Sequence, residues 1–206
     1  MKEIQEIKLC DGSIDLQDST ISHLPDGLRV EGDLDLRNTS IKSLPDGLYV
    51  GGNLLIGKTE IKELPDNLYI GGELNLQRTE IQKLPKKITI GKSFWLGPKM
   101  THLSDCDELI VGGSLICGNY IEELPKHVKV EGDLILRYTQ IKELPDNLHV
   151  GGTLDLQHTP IETLPNGLEV GCDLDLREST IKSLPIDIVV WGDLKLSKTM
   201  LISLCE

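Results

Sequence analysis

Large aromatic side chains are scarce in this chain, which has only two Trp, four Tyr and one Phe among 206 residues. So few rings cannot fill the interior of an ordinary globular domain. The core must therefore be built from Leu, Ile and Val side chains of similar size, and such a uniform interior suggests a repeated structure. The length allows one domain of ordinary size.

Basic side chains are also in the minority, with 21 Lys and Arg against 33 Asp and Glu and a formal net charge of −12. Attraction to nucleic-acid phosphates or to anionic lipid depends on clusters of Lys and Arg. We therefore expect no direct contact with nucleic acid or membrane, and a protein partner that is neutral or basic.

Long apolar runs are missing as well. No stretch approaches the 18 consecutive apolar residues of a membrane-spanning helix, and Met1 is followed by charged residues where a secretory peptide has its apolar region. The sequence predicts a cytoplasmic protein. The five cysteines have neither zinc-site spacing nor the even count of a disulfide framework, so we expect reduced thiols.

Motifs for catalysis are not found in the sequence. There is no Walker loop, nucleophile elbow or dinucleotide fingerprint, and the five histidines occupy different slots without metal-ligand spacing. We therefore expect a protein without enzymatic activity, cofactor or metal.

A period of 20 residues dominates what is present. Blocks such as I-K-S-L-P-D-G-L-Y-V-G-G-N-L-L-I-G-K-T-E, from Ile41, recur along the chain, and eight of the ten prolines follow a Leu at one slot. Similar blocks begin at Ile21, Ile61, Ile81, Ile121, Ile141, Ile161 and Ile181. Units this small cannot bury their apolar residues alone and must stack on one another, which predicts a solenoid.

Within a unit, counted from its first Ile, the apolar positions are 1, 4, 8, 10, 14 and 16. Positions 8 to 16 alternate at period two, which indicates strands, while Pro at position 5 introduces a turn. We therefore expect an all-β-rich solenoid of about ten coils with a parallel sheet, forming one domain over residues 1–206. Residues 1–20 would be a degenerate N-terminal coil or cap, and residues 201–206 a C-terminal stub.

The motif L-x-L-x-x-T-x-I-x-x-L-P, as in residues 34–45, resembles the short bacterial leucine-rich repeat. Thr stands where that repeat usually has Asn, and position 11 is Gly or Glu rather than Leu. A Thr hydroxyl can still bond to backbone inside a corner, whereas the second departure leaves the curvature open. The resemblance implies a leucine-rich-repeat-like recognition module without an attached enzyme; a right-handed parallel β-helix is the alternative architecture.

Regularity fails in residues 97–120, where two residues are inserted before Val111. Ser104 to Glu108 replace the Leu-Pro corner, and we expect a bulging loop there. The loop is either a tolerated turn or a contact loop, and it could fold back over Trp95.

The side chains at position 15 point outward if those at 14 and 16 point inward, and they then form a column along the solenoid. The middle of this column is apolar and its flanks are acidic, and three of the apolar residues have Gly at position 17. Contiguous apolar patches with polar rims mark contact sites, and Trp and Tyr dominate interface energetics. The predicted partner-binding residues are Leu55, Trp95, Ile116, Ile135, Tyr138, Asp133, Asp155 and Asp175.

Three functions fit this pattern. The first is a protein-binding module that uses the strand face centred on Trp95. The second is an acidic inhibitor that mimics nucleic acid. The third is a self-assembling structural rod, or a homodimer formed through terminal coils, because the end coils of a solenoid expose apolar edges.

Overall fold

The computed structural model describes residues 12–146 and 148–200. Most of the predicted N-terminal cap and the whole predicted stub at 201–206 lie outside these ranges. The described residues contain strands and turns but no helix, and successive coils repeat every 20 residues or so. The prediction of an all-β solenoid is confirmed.

Each complete coil contributes two short strands, one to each of two parallel sheets. The ten-stranded sheet is formed by β1 (Ile14–Asp15), β3 (Leu34–Asp35), β5 (Leu54–Leu55), β7 (Leu74–Asn75), β9 (Phe94–Trp95), β11 (Leu115–Ile116), β13 (Leu134–Ile135), β15 (Leu154–Asp155), β17 (Leu174–Asp175) and β19 (Leu194–Lys195). These strands carry positions 14 and 15 of the repeat.

The nine-stranded sheet carries positions 9 and 10, extended in some coils by one or two residues. It is formed by β2 (Arg29–Val30), β4 (Tyr49–Val50), β6 (Leu68–Ile70), β8 (Lys87–Ile90), β10 (Glu108–Val111), β12 (His127–Val130), β14 (His149–Val150), β16 (Glu169–Val170) and β18 (Val189–Val190). The alternation over positions 8 to 16 is thus divided between two strands, because the chain turns a corner at positions 11 to 13.

The core is one continuous stack of aliphatic side chains. Positions 1, 4, 8, 10, 14 and 16 are buried through most of the described coils, as in the coil with Ile41, Leu44 and Leu48. Parallel pairing in register brings equivalent residues of successive coils together, for example Leu34 and Leu54. The core therefore consists of columns of like residues, which explains why so few aromatic rings are needed.

Threonine at position 19 closes a second corner of the coil. The buried hydroxyl of Thr139 donates to the carbonyl of Leu136 at 2.6 Å, and Thr39 and Thr159 make the same bond at 2.7 Å. The expected role of this Thr is confirmed. The residue before it adopts a left-handed conformation in most coils, as at Lys58 (φ 60°).

Candidate functional site

Trp95, Ile116 and Ile135 lie side by side on three consecutive strands, β9, β11 and β13, of the ten-stranded sheet. Trp95 is paired in register with Ile116, and Ile116 with Ile135. All three side chains are half-buried and face outward, whereas the following residues Leu96 and Leu136 are buried in the core. We call these three residues the Trp95 face.

The residues beside Trp95 and Ile116 in their own coils are small and uncharged, whereas Ile135 is flanked by Asp133, Arg137 and Asp155. Position 13 in β9's and β11's coils holds Ser93 and Ser114, and position 17 holds Gly97 and Gly118. A Cβ at Gly97 would lie only 2.8 Å from the carbonyl oxygen of Leu76, so the close approach of two coils leaves no room for a side chain there. No side chain at position 17 therefore covers Trp95 or Ile116.

Two of the predicted apolar residues are not part of this cluster. Leu55 is half-buried in the same column, but the exposed Asn75 separates it from Trp95. Tyr138 is 52% exposed and lies in the left-handed corner at position 18, where its ring stacks on His158 with centroids 4.5 Å apart. The structure thus brings together three of the five predicted apolar residues.

The acidic residues of the column have a structural role that the sequence columns did not reveal. Asp155 and Asp175 are only 7% and 4% exposed. The carboxylate of Asp155 accepts the backbone N–H of Gln157 at 3.1 Å, and that of Asp175 accepts the N–H of Arg177 at 3.2 Å. Short polar side chains that bond two residues ahead stabilise turns. Five of the ten strands of this sheet carry such a turn-closing acceptor at position 15: Asp15, Asp35, Asn75, Asp155 and Asp175.

The charge of Asp175 is also balanced by an arginine of the same coil. The Arg177 Nε donates to its two carboxylate oxygens at 2.9 and 3.1 Å, and Arg37 binds Asp35 in the same way at 2.9 and 3.0 Å. Burial raises the pKa of both carboxyls, but the hydrogen bonds and charge of the arginines outweigh it, so each pKa is lowered. These carboxylates are engaged before any partner arrives.

Asp133 belongs to a different ladder, at the corner between the two sheets. Its carboxylate accepts the backbone N–H of Thr153 at 2.8 Å, and its own N–H donates to the hydroxyl of Ser114 at 3.1 Å. Asp33 and Asp173 accept N–H groups in the same way from the next coil. A Ser, Asn or Asp at position 13 of the sequence is the signal for this ladder.

The inserted segment that begins at Ser104 is held against the preceding coil. Asp105 pairs with Lys83 at 2.9 Å, and the Asp107 N–H donates to the Lys86 carbonyl at 2.7 Å. Cys106 is buried between backbone carbonyls, and burial, with smaller contributions from nearby carboxylates, raises the pKa of its thiol to about 11. None of these contacts involves Trp95, so the segment is anchored elsewhere.

Two exposed features were not singled out by the sequence reasoning. On the nine-stranded sheet, Arg29 lies over the ring of Tyr49 at 3.7 Å, and Tyr49 stacks on Tyr69 at 5.0 Å. In the last described coil, Ile186 is 80% and Trp191 77% exposed. A column reading of positions 6, 9 and 11 would have found both.

Compared with known proteins, the chain matches no protein family, no curated protein and no solved structure. Over the described residues no helix could span a membrane. Within the same ranges no group of three or more His, Cys, Asp or Glu side chains is placed to hold a metal ion.

Proposed function

We propose that this protein is a non-enzymatic protein-binding module that recognises a partner through the Trp95 face. The observation that carries the proposal is the adjacency of Trp95, Ile116 and Ile135 on consecutive strands, with Ser and Gly beside the first two. An apolar cluster of this kind on an otherwise polar and charged sheet is typical of a contact surface. The likeness to leucine-rich repeats, whose role is recognition, supports the same function.

Rigidity of the scaffold favours this use. The Trp95 face is built on paired strands whose neighbouring side chains are locked in the core, so little order has to be gained on binding. Trp is the residue type most often found at energetic centres of interfaces. The partner should therefore present an apolar group to Trp95 and lose most of its affinity when the indole is removed.

The charge of the partner follows from the rest of the molecule. The net charge of −12 attracts a basic protein over long range and does not repel a neutral one, although Asp35 and Asp175 are already paired with Arg37 and Arg177. Salt should then slow association more than it weakens the bound complex. A cytoplasmic location is part of this proposal.

The test is capture of the partner from native lysate by wild-type protein, Trp95→Ala and Trp191→Ala. Trp191→Ala is the control because it also removes an indole, but from a different coil and from a more exposed position. Loss of a binding hot spot costs about 2 kcal/mol or more, which corresponds to roughly a 30-fold loss of affinity. We expect that loss for Trp95→Ala only, measured with the captured protein after purification and at a temperature where all three variants are folded.

Equal affinities for Trp95→Ala and wild type would contradict the proposal. Capture that disappears at high salt, selects nucleic-acid-binding proteins and ignores Trp95 would support the acidic mimic instead.

Self-association is a second candidate, favoured by the exposed apolar residues of the last described coil. Ile186, Val189 and Trp191 are all exposed there, and Trp191 stands at position 11, where most other coils have Gly. Light scattering over a range of concentrations tests it. A mass above one chain that returns to one chain in Trp191→Ala supports association, and a single-chain mass for wild type at all concentrations contradicts it.

A further inference from the structure

A basic hollow lies beside Gly57 on this acidic protein. It has a volume of about 290 Å³ and is lined by residues of three successive coils, including Arg37, Leu55, Gly57 and Arg78. A second depression of about 140 Å³ shares Arg37, Gly57 and Arg78 and adds Lys58. Since one water occupies about 30 Å³ of liquid, the larger hollow has room for a group of several heavy atoms.

Glycine creates the space. Position 17 holds Gln17, Arg37 and Gln77 in the neighbouring coils, and a Cβ added to Gly57 would meet no atom within 4 Å. The hollow is thus the gap left in a row of long polar side chains.

The backbone at this point has a hydrogen-bond donor without the usual acceptor. Asp15, Asp35 and Asn75 each accept the N–H of the residue two ahead, at 3.0, 3.1 and 2.9 Å. Leu55 occupies that position in the third coil and carries no oxygen. Among the described residues, no hydrogen bond from the Gly57 N–H is found.

The cations around the hollow are available for a ligand. Lys58 and Arg78 make no ion pair with any residue in the described ranges. Arg37 uses its Nε and Nη2 on Asp35, which fixes the guanidinium and leaves the Nη1 hydrogens free. The carboxylates that act on this arginine are those of Asp35, Asp15 and Asp18.

We propose that the hollow at Gly57 binds an oxyanion, a carboxylate or phosphate group. Its oxygen takes the place of the position-15 carboxylate as acceptor of the Gly57 N–H, and Arg37, Lys58 and Arg78 supply the charge. Bonds from charged donors to an oxyanion are stronger than neutral ones. The anion is either a free small molecule or an acidic side chain of a docked protein; the site does not depend on the Trp95 face.

The other Asp–Arg pair provides an internal control. Arg177 is held by Asp175 in the same way, but position 17 in its neighbouring coils holds Gln157 and Ser197, and Glu178 stands beside it. That pair therefore has neither the gap nor the excess of positive charge, so Arg177→Ala should not affect anion binding.

The experiment is a titration of the ¹⁵N-labelled full chain, at low ionic strength, with inorganic phosphate and with a short capped peptide containing one Glu between apolar residues. The measured quantity is the shift of the Gly57 amide resonance. We expect a saturable shift with at least one probe, and at least a tenfold loss of affinity in Arg78→Ala and in Lys58→Ala. Gly57→Gln should block the site because its side chain would fill the gap. The variant should fold, since the solenoid already holds Gln at this position in other coils.

The two probes separate the sources. Tighter binding of phosphate identifies a small oxyanion, and tighter binding of the peptide identifies an acidic side chain. The proposal is overturned if the Gly57 amide of the wild type shifts with neither probe. It is also overturned if the neighbouring amides shift equally in Gly57→Gln and in wild type. Unchanged melting curves for the variants and normal binding by Arg177→Ala show that the fold is intact.

Discussion

Ile135→Asp should place a charge on the outer face of the solenoid at little cost in stability. Ile135 is followed by Arg137 at position 17, the same spacing that joins Asp35 to Arg37 and Asp175 to Arg177. No ion pair of Arg137 is found in the described part of the chain. The substitution should therefore recreate both the turn-closing hydrogen bond and the arginine pair.

The magnitude follows from three contributions to the free energy of unfolding. Loss of a half-buried Ile costs about 1 kcal/mol, half of its full burial value. A new carboxylate next to Asp155, its neighbour in the column, adds repulsion of about 1 kcal/mol in water-like surroundings. A pair with a half-exposed arginine returns about 1 kcal/mol. The sum is a loss of about 1 kcal/mol.

The assay is urea unfolding of a double-mutant cycle. Arg137→Ala alone should be neutral, and Ile135→Asp in the Arg137→Ala background should cost about 1 kcal/mol more than in wild type. Leu136→Asp, one residue along and facing the core, should cost more than about 4 kcal/mol because it buries an unpaired charge. If Ile135→Asp and Leu136→Asp were equally destabilising, the outward placement of position 15 would be refuted.

Three further predictions concern named contacts. Arg177 lowers the pKa of Asp175, so the contribution of this pair to stability is present above about pH 4 and is lost as the pH falls further. In Asp175→Asn the urea midpoint should therefore depend less on pH below about pH 4 than it does in wild type. Iodoacetamide at pH 7 should label the exposed Cys172 in the folded protein and the buried Cys106 only after unfolding, which peptide mass mapping distinguishes. Thr139→Val should reduce the free energy of unfolding by about 1 kcal/mol in urea, since a buried hydroxyl bond is lost; no change would contradict the corner role.

The repeat allowed the fold and the inward positions to be predicted from the sequence. Because side chains alternate at period two, the buried Leu34 and Leu36 determine that position 15 lies between them on the outer face. The division into two sheets was not predicted, since alternation continues through the corner at positions 11 to 13. In the structure the two strands of a coil are separated at that corner, where the Asn53 N–H donates to the Asp33 carboxylate of the preceding coil.

The acidic rows show why a column of like charges is ambiguous in sequence. Asp155 and Asp175 were expected to face a partner, yet both are nearly buried and accept backbone N–H groups. Residue type alone does not reveal which way a carboxylate turns, because a short side chain can bond to its own turn or extend into solvent. The apolar replacements at Leu55 and Trp95 become more informative for that reason, since they give up a turn acceptor.

Hydroxyl-radical footprinting of the free and partner-bound protein tests the central claim most directly. Trp95 and Trp191 are the only two tryptophans in the chain, so the oxidation rate of each can be followed in its own peptide. Binding through the Trp95 face predicts that the partner slows oxidation of Trp95 severalfold and leaves Trp191 unchanged. Protection of Trp191 with an unchanged rate at Trp95 would contradict it.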